Sequence, residues 1–348
     1  MEIKVYQDIA GNPVAGLYSN ILESFELLYS TYEIEWLMFL EKLLDERARM
    51  ISVEEDGRMA GCLAFFTREA DGIRVANSLP YTQASFGGPL VRPDLAGDKR
   101  AEALSAIMDA FLDLGRRERW AAFAIKAAPP QQGYNLCGIH ADHTIEREIL
   151  FTDLQNRKPL SSSLKWDIKK ALKNGLSVES GCDGARLAEF SGIYCEEMEK
   201  KGTWARDSRF FDLLMSDLIP AGRALFVSAL DGSGGVVGGI VFCLGRGIAD
   251  YAIQSTSPEG KRLQANSLLI SRSMDILSER GCRLWNWLAS PSEGVHRFKK
   301  KWSTSEGGMF VYWKMVDDDM FNALKDRGRE WIEERFRWYY AVPYELLG

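Results

Sequence analysis

The chain has 348 residues, 46% of them hydrophobic and 26% charged, with a formal net charge of −6. That balance supplies apolar material for a large core, at a length comfortable for two domains. No apolar run reaches the roughly 18 residues needed to cross a bilayer, and a net negative chain is a poor general nucleic-acid coat, so a transmembrane protein and a DNA-binding protein are both disfavoured.

The first half opens with a strand over Ile3–Tyr6, followed by a helix over Tyr32–Leu44 with Ile34, Leu37 and Met38 at helical spacing. Strands over Met50–Glu54 and Met59–Thr67, joined by Glu55-Asp56-Gly57, read as a hairpin, and Ile73–Leu79 continues the sheet. A helix over Ala101–Glu118 and a strand over Ala121–Lys126 follow. The second half repeats this order. A basic helix over Pro159–Asn174 stops at Gly175 and leads to a strand over Leu176–Glu179, then to helices over Arg186–Lys200 and Ser208–Ile219. Strands over Ala224–Ala229, Val236–Leu244 and Ile248–Gln254 form a meander, with Asp231 to Gly235 as a turn. A helix over Gln264–Arg280, a strand over Arg283–Leu288, a basic helix from Glu293 and a strand over Met309–Val316 complete the half. The pattern is α/β (α+β) with hairpins before each long helix, not the strict βαβ alternation of a dinucleotide fold. It implies a duplicated fold: a first domain over 1–156, a second over 157–316 and a C-terminal helical segment over 317–348. That last segment carries Trp331, Phe336, Trp338, Tyr339 and Tyr340. It reads either as a peripheral membrane or partner contact or as a helix packed over the second domain.

Charge is unevenly spread. Arg157 to Lys173 holds six basic residues and one acid, and Arg297 to Lys301 holds four basic residues and none. The two islands are either sites for anionic groups such as phosphates or solvated helix faces. The six cysteines (Cys62, Cys137, Cys182, Cys195, Cys243, Cys282) form no C-x-x-C pair, and Met1–Val5 does not resemble the start of a signal peptide. Buried free thiols in a cytoplasmic protein are the expectation.

The chain has no P-loop sequence, no G-x-S-x-G elbow and no H-E-x-x-H helix. His140 and His143 lack further ligands at metal-site spacing, so no metal is expected. The unusual stretch is Trp285 to Trp302, where an apolar strand ends in small residues and opens directly into a basic helix. Ligands sit at the C-terminal ends of strands in α/β sheets, and Lys299 there could offer a positive charge to a developing oxyanion or a phosphate. Phe298 and Trp302, four apart, read as core.

The segment Phe298-Lys299-Lys300-Lys301-Trp302-Ser303 resembles the closing F-K-x-x-[WF]-G element of the FemAB-like proteins, with Ser303 in place of the usual Gly. Three further stretches resemble that family in the same order. They are Leu79-Pro80-Tyr81 through Phe86-Gly87-Gly88-Pro89, the helix Ser163 to Leu176, and Glu199 to Trp204 followed by Phe210-Phe211, with Trp204 where the family has Pro. The resemblance implies two tandem GNAT-like acyltransferase folds with an active cleft in or beside the second. It also implies transfer of an acyl or aminoacyl group to the amine of a peptidoglycan or polysaccharide precursor, small or lipid-linked. The donor would be aminoacyl-tRNA or acyl-CoA; no cofactor is fixed by the residues. The GNAT pyrophosphate loop is not intact, since its expected place reads Pro258-Glu259-Gly260-Lys261-Arg262.

Direct attack of a neutral amine on an activated carbonyl needs alignment and a stabilised oxyanion, and no Cys–His or Ser–His pairing suggests a covalent intermediate. Lys299 is expected to be the catalytic cation. Tyr81, Gly87 and Gly88 would line the cleft from the first domain, with Asn266, Ser290, Arg297 and Phe298 from the second; Asp207 and Glu293 are candidate bases. Each of these also has an ordinary structural reading as turn glycine, core aromatic or cap. The competing readings are a FemAB-like binding protein without catalysis, an acyl-CoA-dependent N-acetyltransferase, and an RNA-binding module that uses the 157–173 helix. The RNA module is weakened by having Trp166 as its sole aromatic.

Overall fold

A computed structural model describes residues 1–9, 14–81, 87–127, 141–181, 183–340 and 342–343. In chain order the elements are β1 (Glu2–Tyr6), α1 (Val14–Glu23), α2 (Ile34–Leu44), β2 (Arg49–Glu55), β3 (Arg58–Ala70), β4 (Ile73–Asn77), β5 (Leu90–Val91), α3 (Gly97–Arg117), β6 (Trp120–Ala127) and β7 (His143–Asp153). They continue with α4 (Ser162–Lys173), β8 (Ser177–Ser180), α5 (Gly184–Lys200), α6 (Ser208–Leu213), β9 (Ala224–Leu230), β10 (Val236–Leu244), β11 (Ile248–Thr256), α7 (Pro258–Arg262) and α8 (Ala265–Glu279). The last are β12 (Leu284–Ala289), α9 (Glu293–Lys300), β13 (Ser305–Met315), α10 (Asp318–Asp326) and α11 (Gly328–Arg335). Cys137, His140, Cys182 and the 82–86 part of the first matched stretch lie outside the described residues.

Turn chemistry explains the hairpins. Asp56 and Gly57 both have positive φ (52° and 73°), as do Asp71 and Gly72 (49° and 78°). Two left-handed residues in succession match the right-handed twist of the strands they join, and the Asp-Gly pair adopts them at low cost. Gly175 (φ 77°) and Gly281 (φ 81°) end α4 and α8 as the sequence predicts.

The chain forms two compact units, residues 1–148 with 307–348 and residues 149–306. The first unit's sheet has the order β1-β2-β3-β4-β6-β13, with β5 beside β3. Its four leading strands are antiparallel, β4 and β6 run parallel, and β13 is antiparallel to β6. The second unit's order is β8-β9-β10-β11-β12-β7, again four antiparallel strands, a parallel β11–β12 pair and an antiparallel sixth strand. Each unit thus takes its sixth strand from the other half of the sequence. This differs from the sequence division. Residues 149–156 belong with the second unit, and both Met309–Val316 and the C-terminal segment belong with the first. Pairing across long sequence separation leaves no local signal, which is why the pattern alone assigns β13 to its sequence neighbours.

In the first unit α3 lays Ala103, Ile107, Phe111 and Leu114 onto the sheet, where Phe65, Trp120 and Phe123 close the core. Gly115 is required there, because a Cβ would come within 2.8 Å of the Trp120 ring. In the second unit α8 covers Val227, Ile240 and Phe242, and Trp285 and Trp287 stack at 4.4 Å. The C-terminal segment is two helices split at Gly328 (φ 78°), and Phe336 and Tyr339 are each 1% exposed within the first unit. Phe336 and Tyr339 are core, and Trp331, Trp338 and Tyr340 are half-buried, so the segment packs as an ordinary aromatic stripe but belongs to the first unit and not to the second. Of the cysteines, Cys62, Cys243 and Cys282 are buried free thiols pushed up by desolvation; Cys195 is exposed, contrary to expectation.

Candidate functional site

The second unit's site is set by how two strands part. β11 and β12 pair only at Ile248–Leu284, Ala249–Trp285 and Asp250–Asn286, although β11 runs on to Thr256. The side chain of Asn286 fixes the departure: its Nδ2 donates to Asp250 Oδ1 (2.8 Å) and its Oδ1 accepts from the Leu288 N–H (3.0 Å). Leu288 has φ 58°, so the backbone is bent out of the ladder there. Two carbonyls, those of Trp287 and Ala289, then face the helix that follows.

Lys299 on α9 occupies this bend. Its Nζ donates to Trp287 O (2.7 Å) and Ala289 O (3.2 Å), and lies 5.6 Å from the centroid of the Tyr251 ring. The residue is 6% exposed, and burial lowers its amine to about 8. The carbonyl dipoles and the ring face hold the ammonium in place, and two of its three N–H donors are committed. Burial also raises the Tyr251 phenol. The helix that carries Lys299 is capped by Ser292, whose Oγ accepts from the Val295 N–H (3.4 Å), while Ser290 is half-buried in the connection.

The other predicted residues separate into two groups. Phe298 packs half-buried against the core, 6.5 Å from Trp302, as a structural aromatic. Arg297 is exposed and 3.8 Å from Glu293, so both point to solvent. Asn266 sits at the start of α8 and takes part in a small polar cluster on the far end of β11. Gln254 Nε2 donates to Asn266 Oδ1 and Thr256 Oγ1 (2.8 Å each), and Thr256 bonds Asn266 as well. Beside it, Glu197 accepts from Ser255 and from Lys261 (3.0 Å). Burial would raise Glu197, but those hydrogen bonds outweigh it and hold the carboxyl below its usual range. Asp207 is the N-cap of α6, accepting from the Phe210 N–H at 3.1 Å.

The remnant of the pyrophosphate loop has other duties. A Cβ on Gly260 would lie 2.3 Å from the Val237 carbonyl oxygen, so this glycine is demanded by packing of α7 on β10. Lys261 is paired with Glu197, and Arg262 Nε donates to Glu259 (2.9 Å).

In the first unit, Tyr81 (φ 85°) is 2% exposed; its N–H donates to Trp338 O (2.6 Å) and the two rings lie 4.6 Å apart. Gly87 donates its N–H to Lys126 O (3.0 Å), and a Cβ there would collide with the Leu79 side chain at 2.5 Å. Gly88 is buried. Tyr81 and Gly87 lie at the β4–β6 end of their unit, which the C-terminal segment covers through Asn77 Nδ2 to Tyr339 O. Lys126 on β6, which the sequence reading passed over, is 2% exposed, lies 4.7 Å from the Tyr340 ring centroid and is lowered by burial to about 7. A lysine inside the apolar run Ala121 to Ala127 was the available signal; for Asn286, it was a polar residue between two tryptophans.

No protein-family model matches the chain, and no curated protein does either. Solved structures do. FemX superposes with a TM-score of 0.70 at 15% identity, covering 93% of this chain and 100% of its own. The C-terminal domain of a lysylphosphatidylglycerol synthetase from Agrobacterium fabrum, described as putative, gives 0.57 at 14% identity, covering 94% and 96%. A tandem GNAT protein of the clavulanic acid pathway gives 0.54 at 13%, covering 90% and 99%. Two units that repeat one strand order, each with a single parallel pair, together with these likenesses over nearly the whole length, establish that the chain has the tandem GNAT-type fold seen in FemX and the tandem GNAT protein.

Proposed function

We propose that this protein is an acyl- or aminoacyltransferase that forms an amide on the amine of a peptidoglycan- or polysaccharide-related cell-envelope precursor, by direct transfer. The observation that carries the reading is the buried ammonium of Lys299, held by two carbonyls where β11 and β12 part. In the reaction the amine nitrogen forms a bond to the acyl carbonyl carbon, and the oxyanion so formed collapses with cleavage of the donor's ester or thioester bond. The amine's proton leaves with the donor's oxygen or sulfur, or passes to solvent. The remaining N–H of Lys299 would stabilise the oxyanion or a substrate phosphate, in a dry site where such a contact is worth more than in water.

Aminoacyl-tRNA is favoured over acyl-CoA as donor, because Gly260, Lys261 and Arg262 are occupied by packing and by acids. A FemAB-like binding protein without catalysis is the second reading, favoured by the two committed donors of Lys299. The test supplies labelled aminoacyl-tRNA or acyl-CoA with amine-bearing precursors and detects the amide by mass spectrometry. Amide is expected from the native protein, with Lys299→Ala slowed by about 10²–10³. Full turnover by that variant would remove Lys299 from the chemistry, and absence of amide from every donor with the native protein would favour the binding reading.

A further inference from the structure

We propose that the outward face of α4 docks the second unit onto a bilayer bearing anionic phospholipid headgroups. At about 100° per residue, Leu164, Ile168 and Ala171 share the inward face of α4 and pack on the core. Trp166, Lys169, Lys170 and Lys173 therefore share the opposite face. Trp166 is 59% exposed, a large aromatic turned to solvent, and Lys170 Nζ lies 5.0 Å from its ring centroid. Leu172, on the flank, is 49% exposed. The sole acid of the helix, Asp167, turns the other way and accepts from Ser267 Oγ on α8 (3.3 Å), so it does not neutralise the lysine face.

The second basic island adjoins the first. Lys158, just before α4, donates its Nζ to the Lys300 carbonyl at the end of α9 (2.8 Å). On α9 and just beyond it, Val295, Arg297 and Lys301 are exposed. The two stretches sum to +9 on a chain whose net charge is −6; with Lys299 buried and Arg157, Arg297 and Lys300 paired with Asp275, Glu293 and Glu306, the positive charge of this face rests on Lys165, Lys169, Lys170, Lys173 and Lys301. A surface of this sign is attracted to anionic headgroups, while the rest of the molecule is repelled, which gives the docking an orientation. Tryptophan is the side chain that partitions to the headgroup level, its ring apolar and its N–H wet. Leu172 and Val295 can follow it, and neither can stack on a base. An RNA surface would need several aromatic platforms, and this face has one.

The inference is independent of the transfer reaction and is tested without it. The full chain is sedimented with phosphatidylcholine vesicles and with vesicles containing phosphatidylglycerol as well. Binding is expected only to the anionic vesicles, lost as salt is raised, and weakened by more than about tenfold in Lys169→Glu/Lys170→Glu. Trp166→Ser is expected to weaken it without changing its salt dependence. Reversal of two exposed arginines of the first unit, Arg116→Glu/Arg117→Glu, matches the net charge change and is expected to leave binding intact. All three variants change exposed or half-buried side chains, and unchanged melting confirms that they fold. Equal sedimentation with neutral vesicles, or full binding by the α4 variants, would overturn the proposal. So would failure to bind phosphatidylglycerol while tRNA binding is lost in Lys169→Glu/Lys170→Glu, which would make RNA the partner of this face.

Discussion

A buried lysine reports on its surroundings through its proton. Lys299 titrates near 8 and Lys126 near 7 in the native chain, both below the ordinary lysine value of 10.5. Between those values and 10.5 the unfolded chain holds protons that the native one does not, so stability rises with pH across that window. Urea titrations over pH 7 to 10 are expected to show this rise, and Lys299→Met and Lys126→Met should each flatten part of it. The same titration acts oppositely on the chemistry. Transfer that depends on the Lys299 ammonium is expected to fall as pH passes about 8, and Lys299→Arg, which stays charged, should move that fall upward in a rate profile. Lys299 was legible in the sequence because an apolar strand ends in small residues and opens directly into a basic helix. Its partners were not. Tyr251 comes from β11 and the carbonyls from a bend that depends on Asn286, and neither relation has a spacing to read.

At the level of elements, local chemistry wrote most of the fold. The Asp-Gly turns, the stops at Gly175 and Gly281 and the apolar faces of α3 and α8 all sit where residue type dictates. Gly260 shows the limit, since a glycine in a place expected to hold phosphate is there to let α7 approach β10. Gly260→Ala is expected to cost about 1–3 kcal/mol in urea unfolding, as overpacking against a backbone carbonyl does. The C-terminal aromatics were readable as core but not as core of the first unit: the chain breaks at Gly328 and turns Phe336 and Tyr339 into it. Tyr339→Ala should cost about 3 kcal/mol or more, as loss of a fully buried aromatic does. A fall in stability no greater than that of an exposed substitution would return that segment to the surface.

For the whole molecule, duplication was legible from the repeated order of elements, and the exchange of sixth strands was not. Truncation after residue 306 removes β13 with the C-terminal helices and leaves the wholly buried β6 as an open edge. Such a chain is expected to aggregate, as exposed apolar edges do, and a soluble, cooperatively melting product would contradict the pairing. The exchange also gives the two units different histories during synthesis. The strand that completes the second unit, the end of β7, is made before any other part of that unit, so it can close as soon as β12 has emerged. The first unit is translated earliest yet waits for β13, some ten seconds or more at ordinary elongation rates. The half made first is therefore the half finished last, and chaperone capture of nascent chains should be concentrated on β6 until residue 315 has left the ribosome.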